Sequence, residues 1–393
     1  MMKAKRALAL GLAAAMCATA LSACGKGGNG GTGAADGETI KIGLNYELSG
    51  DVGQYGQSCA QGIRLAIEEI NAAGGVLDKQ IELVEIDNAS KNEEAKSAAI
   101  RLATKENVSL ILGPATSGAV KATTAVATQY KVPVITCSAT ADDITVQNGK
   151  LNPYTYRICY NDTFQGTMMG NFATKDLNVK KAVVLVDSSN DYSAGLGNAF
   201  KESFTSKGGT IVDEQTYNAK DTDFKAILTN LKGKEFDAIY LTGYYEAVAL
   251  IIKQAREIGI TQPFLGADGY DAPKLPEIAG SALSNVYFTN HYSSGDTAAE
   301  VQDFIKKFRE KYDKDPDGFN ALGYDMAKFA ADAIKRAGSA DREKINQALA
   351  ETKDYPAVTG KFSIDQNHNP IKATVIIEYK EGKQTFRTKM SAE

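Results

Sequence analysis

Two loops in the first half of the chain carry the residue types that could hold an anion. The apolar run Leu110-Ile111-Leu112 breaks into Gly113-Pro114-Ala115-Thr116-Ser117-Gly118 and resumes as Ala119-Val120, while Val132-Pro133-Val134-Ile135 opens into Thr136-Cys137-Ser138-Ala139-Thr140. Each reads as a strand delivering hydroxyls into a loop. Ser117 falls at the start of the next helix, where unpaired backbone N–H groups and the positive end of the dipole favour an anion, a carboxylate being the natural guest. Either Ser117 or Thr140 could instead merely cap a helix, and only the rest of the chain separates the two roles. In the second half, Ala238-Ile239-Tyr240-Leu241 opens into Thr242-Gly243-Tyr244-Tyr245, and Pro263-Phe264-Leu265 opens into Gly266-Ala267-Asp268-Gly269. There the groups on offer are phenols and a carboxylate. Asp268 with Tyr244 could do acid–base work, although a binding carboxylate is the simpler role.

The elements that must position these loops form a repeat. Residues 39–145 read as a strand from Ile40, a loop with Gly53-Gln54-Tyr55-Gly56, a helix ended by Gly74-Gly75, a strand from Ile81, a helix with Ala95, Ala99 and Leu102 on one face, and the two strand–loop units above. Residues 180–275 repeat the order: a strand from Ala182, a loop with Asn190-Asp191-Tyr192, a helix closed by Gly208-Gly209, a strand at Thr210, a helix around Phe224 and two more strand–loop units. Tyr55 thus corresponds to Tyr192, Ser117 to Tyr244 and Thr140 to Asp268. Two copies of a βα array make two lobes with parallel sheets whose loops share the carboxyl edge, so facing lobes enclose a cleft. From residue 290 the tail reads as three helices and strands at Lys361–Ile364 and Ala373–Tyr379, packing back on the lobes.

Composition narrows the function classes. Lys3, Lys5 and Arg6 precede an apolar run from Ala7 to Ala20, and Leu21-Ser22-Ala23-Cys24 follows, so residues 1–23 read as an export signal rather than a membrane span. The tetrapeptide resembles the lipobox of bacterial lipoproteins, which implies acylation of Cys24; an ordinary cleaved signal is the other reading. Residues 24–38 are Gly-rich and read as a flexible tether. Within them Gly28-Asn29-Gly30-Gly31-Thr32-Gly33 matches GxGxxG, but no strand precedes it, so a dinucleotide site is rejected. Loss of the signal leaves 41 of the 44 basic residues against 48 acidic ones, a net charge of about −7, without a basic patch for nucleic acid. Cys59, Cys137 and Cys159 have no CxxC spacing, so no zinc site or disulfide framework is expected, and no metal or cofactor. His291 and His368 both fall outside the expected cleft loops, and no GxSxG or HExxH occurs, so an exported enzyme has little support.

From Ile40 to about Arg387 the sequence resembles the solute-binding proteins of bacterial ABC transporters for branched-chain amino acids. The resemblance rests on Ser49-Gly50 with Gln54-Tyr55-Gly56, Asn71-Ala72-Ala73-Gly74-Gly75-Val76, Ile111-Leu112-Gly113-Pro114, Gly266-Ala267-Asp268-Gly269 and Ala321-Leu322-Gly323-Tyr324-Asp325, in that order. It implies an α/β, type I periplasmic binding protein fold: two lobes, each with a mainly parallel sheet flanked by helices, joined by three crossovers. The lobes would be residues 39–160 plus 291–372, and 161–290 plus 373–393. It further implies that Ser117, Ser138 and Thr140 meet the ligand carboxylate and Asp268 its ammonium, while Tyr55, Tyr192 and Tyr244 close the site and Phe319 lies near the side-chain pocket. The implied ligand is a small amino acid, leucine, isoleucine or valine, delivered to ABC permease subunits by a monomer anchored through its lipid to the outer face of the cell membrane. The alternative is a ligand-sensing receptor of the same fold for another amino acid or amide. Two departures stand out. The disulfide of well-known members is replaced by Ser90 and Thr116, and Asp268 is one methylene shorter than the usual Glu, so the ammonium must sit deeper or be bridged by water.

Overall fold

The computed structural model describes residues 39–391. In chain order, β1 (Ile40–Tyr46), α1 (Gly53–Ala72), β2 (Ile81–Asp87), α2 (Asn92–Thr104), β3 (Leu110–Leu112), α3 (Ser117–Gln129) and β4 (Val134–Thr136) alternate strand with helix. A short hairpin, β5 (Val146–Gln147) with β6 (Lys150–Leu151), leads to β7 (Thr155–Arg157). The alternation restarts with α4 (Asp162–Lys175), β8 (Lys181–Asp187), α5 (Asp191–Ser206), β9 (Thr210–Tyr217), α6 (Lys225–Thr229), β10 (Ala238–Thr242), α7 (Tyr245–Glu257), β11 (Phe264–Gly266), α8 (Lys274–Ala279) and β12 (Val286–Asn290). Then come α9 (Ala299–Tyr312), α10 (Gly318–Ala337), α11 (Arg342–Ala350), the small pair β13 (Ser363–Ile364) and β14 (Pro370–Ile371), and the hairpin β15 (Thr374–Lys380) and β16 (Lys383–Met390).

The strands form two main sheets. One is parallel, in the order β2-β1-β3-β4-β7. In the other, β9-β8-β10-β11-β12 run parallel in the same order, and β15 and β16 add antiparallel to its edge. The repeat read from the sequence is therefore a repeat of topology. Central strands such as β3 and β10 are buried along their whole length, which is why they appear as unbroken apolar runs rather than alternating ones.

In both sheets the order reverses beside the first strand of the repeat, between β1 and β3 and between β8 and β10, and open α/β sheets bind ligands at such points. The tail returns to the first sheet: α10 packs along α1, and the Arg342 guanidinium of α11 donates to the carbonyls of Ala103, Val108 and Tyr130. Glycines on both sides let α10 approach α1 closely. A Cβ at Gly62 would come within 2.0 Å of the Asn320 carbonyl oxygen, and one at Gly323 within 2.2 Å of the Cys59 carbonyl oxygen. The chain passes between the sheets after β7, after β12 and between β14 and β15. Among the described residues no helix is long and apolar enough to cross a membrane. The signal, Cys24 and the tether lie outside the described residues.

Candidate functional site

The loops at the carboxyl ends of the two sheets meet around a cavity of about 20 Å³, lined by Tyr55, Ala115, Thr116, Ser117, Ser138, Tyr192, Tyr244, Asp268, Gly269 and Phe319. Seven of the eight residues singled out in the sequence are among them. The eighth, Thr140, is fully buried outside this lining; its Oγ1 has no hydrogen-bond partner among the described residues, and neither does Asp162 Oδ2. A larger opening of about 730 Å³ adjoins the cavity and shares Thr116, Tyr192 and Tyr244 with it; Ser90 lies on its wall as well.

The wall from the first sheet is built on two buried charges that the sequence reading passed over. Glu47, just past β1, accepts hydrogen bonds from Ala115 N (2.9 Å), Thr116 N (3.0 Å) and Thr116 Oγ1 (2.7 Å), which fixes the loop that leads into α3. Arg157, at the end of β7, donates through Nη1 to the carbonyls of Thr140 (3.0 Å) and Ala141 (2.8 Å), and through Nε to Asn369 Oδ1 (2.6 Å). Burial makes its charged form costly and pulls its pKa down, yet bonds of this kind are among the stronger ones in proteins.

Ser117 is not the helix cap. The cap residue of α3 is Thr116, whose hydroxyl is turned to Glu47, and Ser117 Oγ accepts from Ala141 N at 3.1 Å. A hydroxyl that accepts still has its proton to donate. The Ser138 hydroxyl donates to the Ala115 carbonyl at 3.0 Å, so it helps shape the wall. Behind Ser138, Cys137 Sγ lies 3.3 Å from Cys59 Sγ and 3.1 Å from Tyr46 OH; all three described cysteines are free and buried.

The opposite wall is aromatic and acidic. Asp268 Oδ1 accepts from Tyr192 OH at 2.7 Å, and its backbone N–H reaches Gln165 Oε1 at 3.3 Å. The Tyr192 oxygen in turn accepts Gly269 N at 2.9 Å, and burial together with the neighbouring carboxylate pushes its pKa well up, so it stays a neutral donor. Its ring stacks on Tyr244 with centroids 5.3 Å apart. From the first wall, Tyr55 reaches across: its hydroxyl donates to the Gly269 carbonyl at 2.5 Å and accepts Tyr245 N at 3.2 Å, while its ring stacks on Phe319 at 4.6 Å. Tyr245 OH returns the contact by donating to the Asp51 carbonyl at 3.1 Å, and Lys121 of α3 pairs with Asp191 of α5 at 2.8 Å. The two loop edges are therefore closed on each other.

As expected, His291 does not line the cavity, yet it bears on the cavity from behind. His291 is part of the cleft's framework: its Nε2 lies 3.5 Å from Asp268 Oδ2, and burial lowers its pKa to about 4. It directly follows β12, at a crossing between the sheets, rather than lying in one of the four strand–loop units read from the sequence. His368 does stand apart, stacked on Tyr156 with Nδ1 3.0 Å from the Thr155 carbonyl oxygen. Gln165, which holds both Asp268 N and Thr289 Oγ1, was missed with the whole of α4; the Asn161 side chain accepting from Phe164 N was the legible sign of that helix. Among the described residues no group of His, Cys, Asp and Glu could hold a metal ion.

Comparison with known proteins agrees with this architecture. Residues 39–384 match the sequence family described as periplasmic binding protein. Over 331 residues the chain is 31% identical to the leucine-, isoleucine-, valine-, threonine- and alanine-binding protein of Pseudomonas aeruginosa, covering 84% of this chain and 86% of that one. The crystal structure of a branched-chain amino acid transporter substrate-binding protein, LivJ, from Streptococcus pneumoniae in complex with isoleucine is 40% identical, with a TM-score of 0.85 over 90% of this chain and 99% of that one. A leucine-binding protein, LivK, from Thermotoga maritima is 38% identical, with the same TM-score of 0.85 and the same 90% and 99% coverage.

Proposed function

Because the chain belongs to the periplasmic binding protein family, we propose that it is the extracytoplasmic receptor of an ABC importer, capturing leucine, isoleucine or valine between its two loop edges and delivering it to the permease. The observation that carries this reading is the single cavity that sets the Ser117 hydroxyl, at the N-terminus of α3, opposite the Asp268 carboxylate, with Tyr55, Phe319, Tyr192 and Tyr244 between them. A zwitterion taken out of water must have both charges met, or desolvation defeats binding. In this reading Ser117 and the helix N-terminus take the carboxylate, joined by Ser138 when its hydroxyl turns from the Ala115 carbonyl, while Asp268 takes the ammonium and the rings cover the aliphatic side chain. Thr140, whose buried Oγ1 has no partner among the described residues, is the remaining hydroxyl assigned to the carboxylate.

Charge-assisted hydrogen bonds contribute about 1.5–3 kcal/mol each and burial of a branched side chain roughly 1.5–3 kcal/mol. Less the entropy of capture and closure, these give an affinity on the order of micromolar, about −8 kcal/mol. The acid and the hydroxyls lie on different sheets, so a ligand that needs both favours the closed form, and the Tyr55 bonds to Gly269 and Tyr245 latch it. The moving bodies are residues 39–160 plus 291–372 and 161–290 plus 373–393. The receptor acts as a monomer without catalysis, tethered to the membrane through a lipid on Cys24.

The test is a thermal-shift screen of residues 25–393, unfolded and refolded to strip carried-over solute, against the twenty amino acids, short amides, sugars and small peptides. A ligand at one hundred times its Kd stabilises the folded protein by about 2.7 kcal/mol. A selective rise with leucine, isoleucine or valine supports the proposal. A rise with another amino acid alone moves the error to the pocket around Tyr55 and Phe319, and no rise with any amino acid overturns the reading.

A further inference from the structure

We propose that His291 is a positioning residue for solute capture: its imidazole braces the Asp268 carboxylate toward the cavity and ties it to the hinge. The inference rests on the reading of Asp268 as the ammonium-binding group.

The three chain crossings between the sheets converge on this imidazole. Tyr160, in the first crossing, stacks on it with ring centroids 3.7 Å apart. His291 itself begins the second crossing, directly after β12. Thr374, at the end of the third, places its Oγ1 3.1 Å from both Tyr160 OH and the Asn290 carbonyl oxygen. A rotation of one sheet against the other must therefore shift the ring that faces Asp268. The carboxylate accepts Tyr192 OH on Oδ1 at 2.7 Å, and on its other side His291 Nε2 stands 3.5 Å from Oδ2. Neither ring nitrogen of His291 has a hydrogen-bond partner among the described residues, so a small approach to Oδ2 gives Nε2 its only bond. On its other side, His291 lines a cavity of about 240 Å³ at the hinge.

The charges around the ring give the sign of a pH effect. Asp268 favours the imidazolium; burial and the Lys372 ammonium of the third crossing oppose it. Asp162 of α4 faces Asp268, and Asp296, Glu300, Lys361 and Lys389 line the hinge cavity. Tyr160 and Cys159 of the first crossing stay neutral, their pKa values raised by burial. At neutral pH the imidazole is uncharged and does not compete with a ligand ammonium for Asp268. Protonation would put a second cation beside the same carboxylate, and by reciprocity a ligand ammonium that disfavours the imidazolium is itself disfavoured by it. Affinity should fall as pH falls.

Titration calorimetry with L-leucine on the wild type and on His291→Gln, His291→Phe and Asp268→Asn, from pH 7.5 to 3.5, tests this. Gln keeps a donor but cannot titrate; Phe keeps the stack on Tyr160 but has no donor. At pH 7.5 we expect His291→Phe to weaken binding at least fivefold and His291→Gln to stay within about threefold. Between pH 7.5 and 3.5 the wild type should weaken about threefold to fourfold more than either His291 variant, as a group titrating at about 4 requires. Identical pH profiles in wild type and whichever His291 variant folds would overturn the proposal, whatever the affinities at pH 7.5. An unchanged Kd in Asp268→Asn would instead overturn the reading of Asp268.

Discussion

The two walls of the cleft solve the same problem by opposite means. The wall on the first sheet is made of small hydroxyls and backbone whose positions are set from behind by full charges: Glu47 gathers the N–H groups of Ala115 and Thr116, and Arg157 gathers the carbonyls of Thr140 and Ala141. The wall on the second sheet presents its charge directly, as Asp268, with the phenol of Tyr192 at one oxygen and His291 near the other. On the first wall charge builds shape; on the second, shape presents charge. Damage should follow the same division. Removing a charge from behind the first wall should cost folding stability, whereas removing Asp268 should cost affinity alone.

The largest expected effect is on stability. Glu47→Ala leaves two buried backbone donors and a hydroxyl without their acceptor, and orphaned groups of this kind cost about 1–3 kcal/mol each, so a loss of about 3 kcal/mol or more is expected in urea unfolding. Asp268→Ala should change unfolding by less than about 1 kcal/mol, because the one donor it orphans, the Tyr192 hydroxyl, is offset by removing the desolvation cost of a buried carboxylate. Its leucine affinity should drop at least tenfold, a difference of about 1.4 kcal/mol or more. The reverse pattern, a destabilised Asp268→Ala with normal binding and a stable Glu47→Ala, would break the comparison outright.

The same division explains what the sequence did and did not disclose. The repeated strand–helix alternation and the four cleft loops were legible because the central strands are buried on both faces and each ends in a loop of distinctive chemistry, as at Leu112 and Leu241. Seven of the chosen residues share one cavity, since loops at corresponding strand ends must share an edge. What was missed is support rather than contact. Glu47 and Arg157 look like ordinary surface charges in a sequence, and nothing local shows that they are buried against backbone groups more than fifteen residues away. Helix α4 escaped because its partner-facing side is glycine instead of large apolar residues. A Cβ at Gly166 would meet Ala199 Cβ at 2.6 Å, and one at Gly170 would meet Ser203 Oγ at 2.6 Å, so close packing on α5 replaced the usual apolar stripe. His291 and β16 were unreadable for a related reason: their roles depend on pairings across the hinge, at β12 with β15 and β15 with β16, that no local pattern encodes.

The smallest expected effect sharpens the comparison at the rim, where charge does neither job. Lys121 on α3 pairs with Asp143 at 2.6 Å and, across the cleft, with Asp191 at 2.8 Å; the Asp191 side chain is 70% exposed. Exposed pairs of this kind contribute about 0.2–1 kcal/mol, and salt screens them over a Debye length of roughly 8 Å at physiological ionic strength. The pair across the cleft exists only when the edges are closed, so whatever it contributes belongs to the ligand-favoured state. Lys121→Met also leaves Asp143 and Asp191 facing each other without a cation, which opposes closure by a similar small amount. Leucine affinity should therefore weaken about twofold to threefold in 10 mM salt and return to the wild-type value by 0.5 M. A loss above tenfold that persists at 0.5 M salt would mean that the rim, not the Asp268 wall, carries the electrostatics of closure.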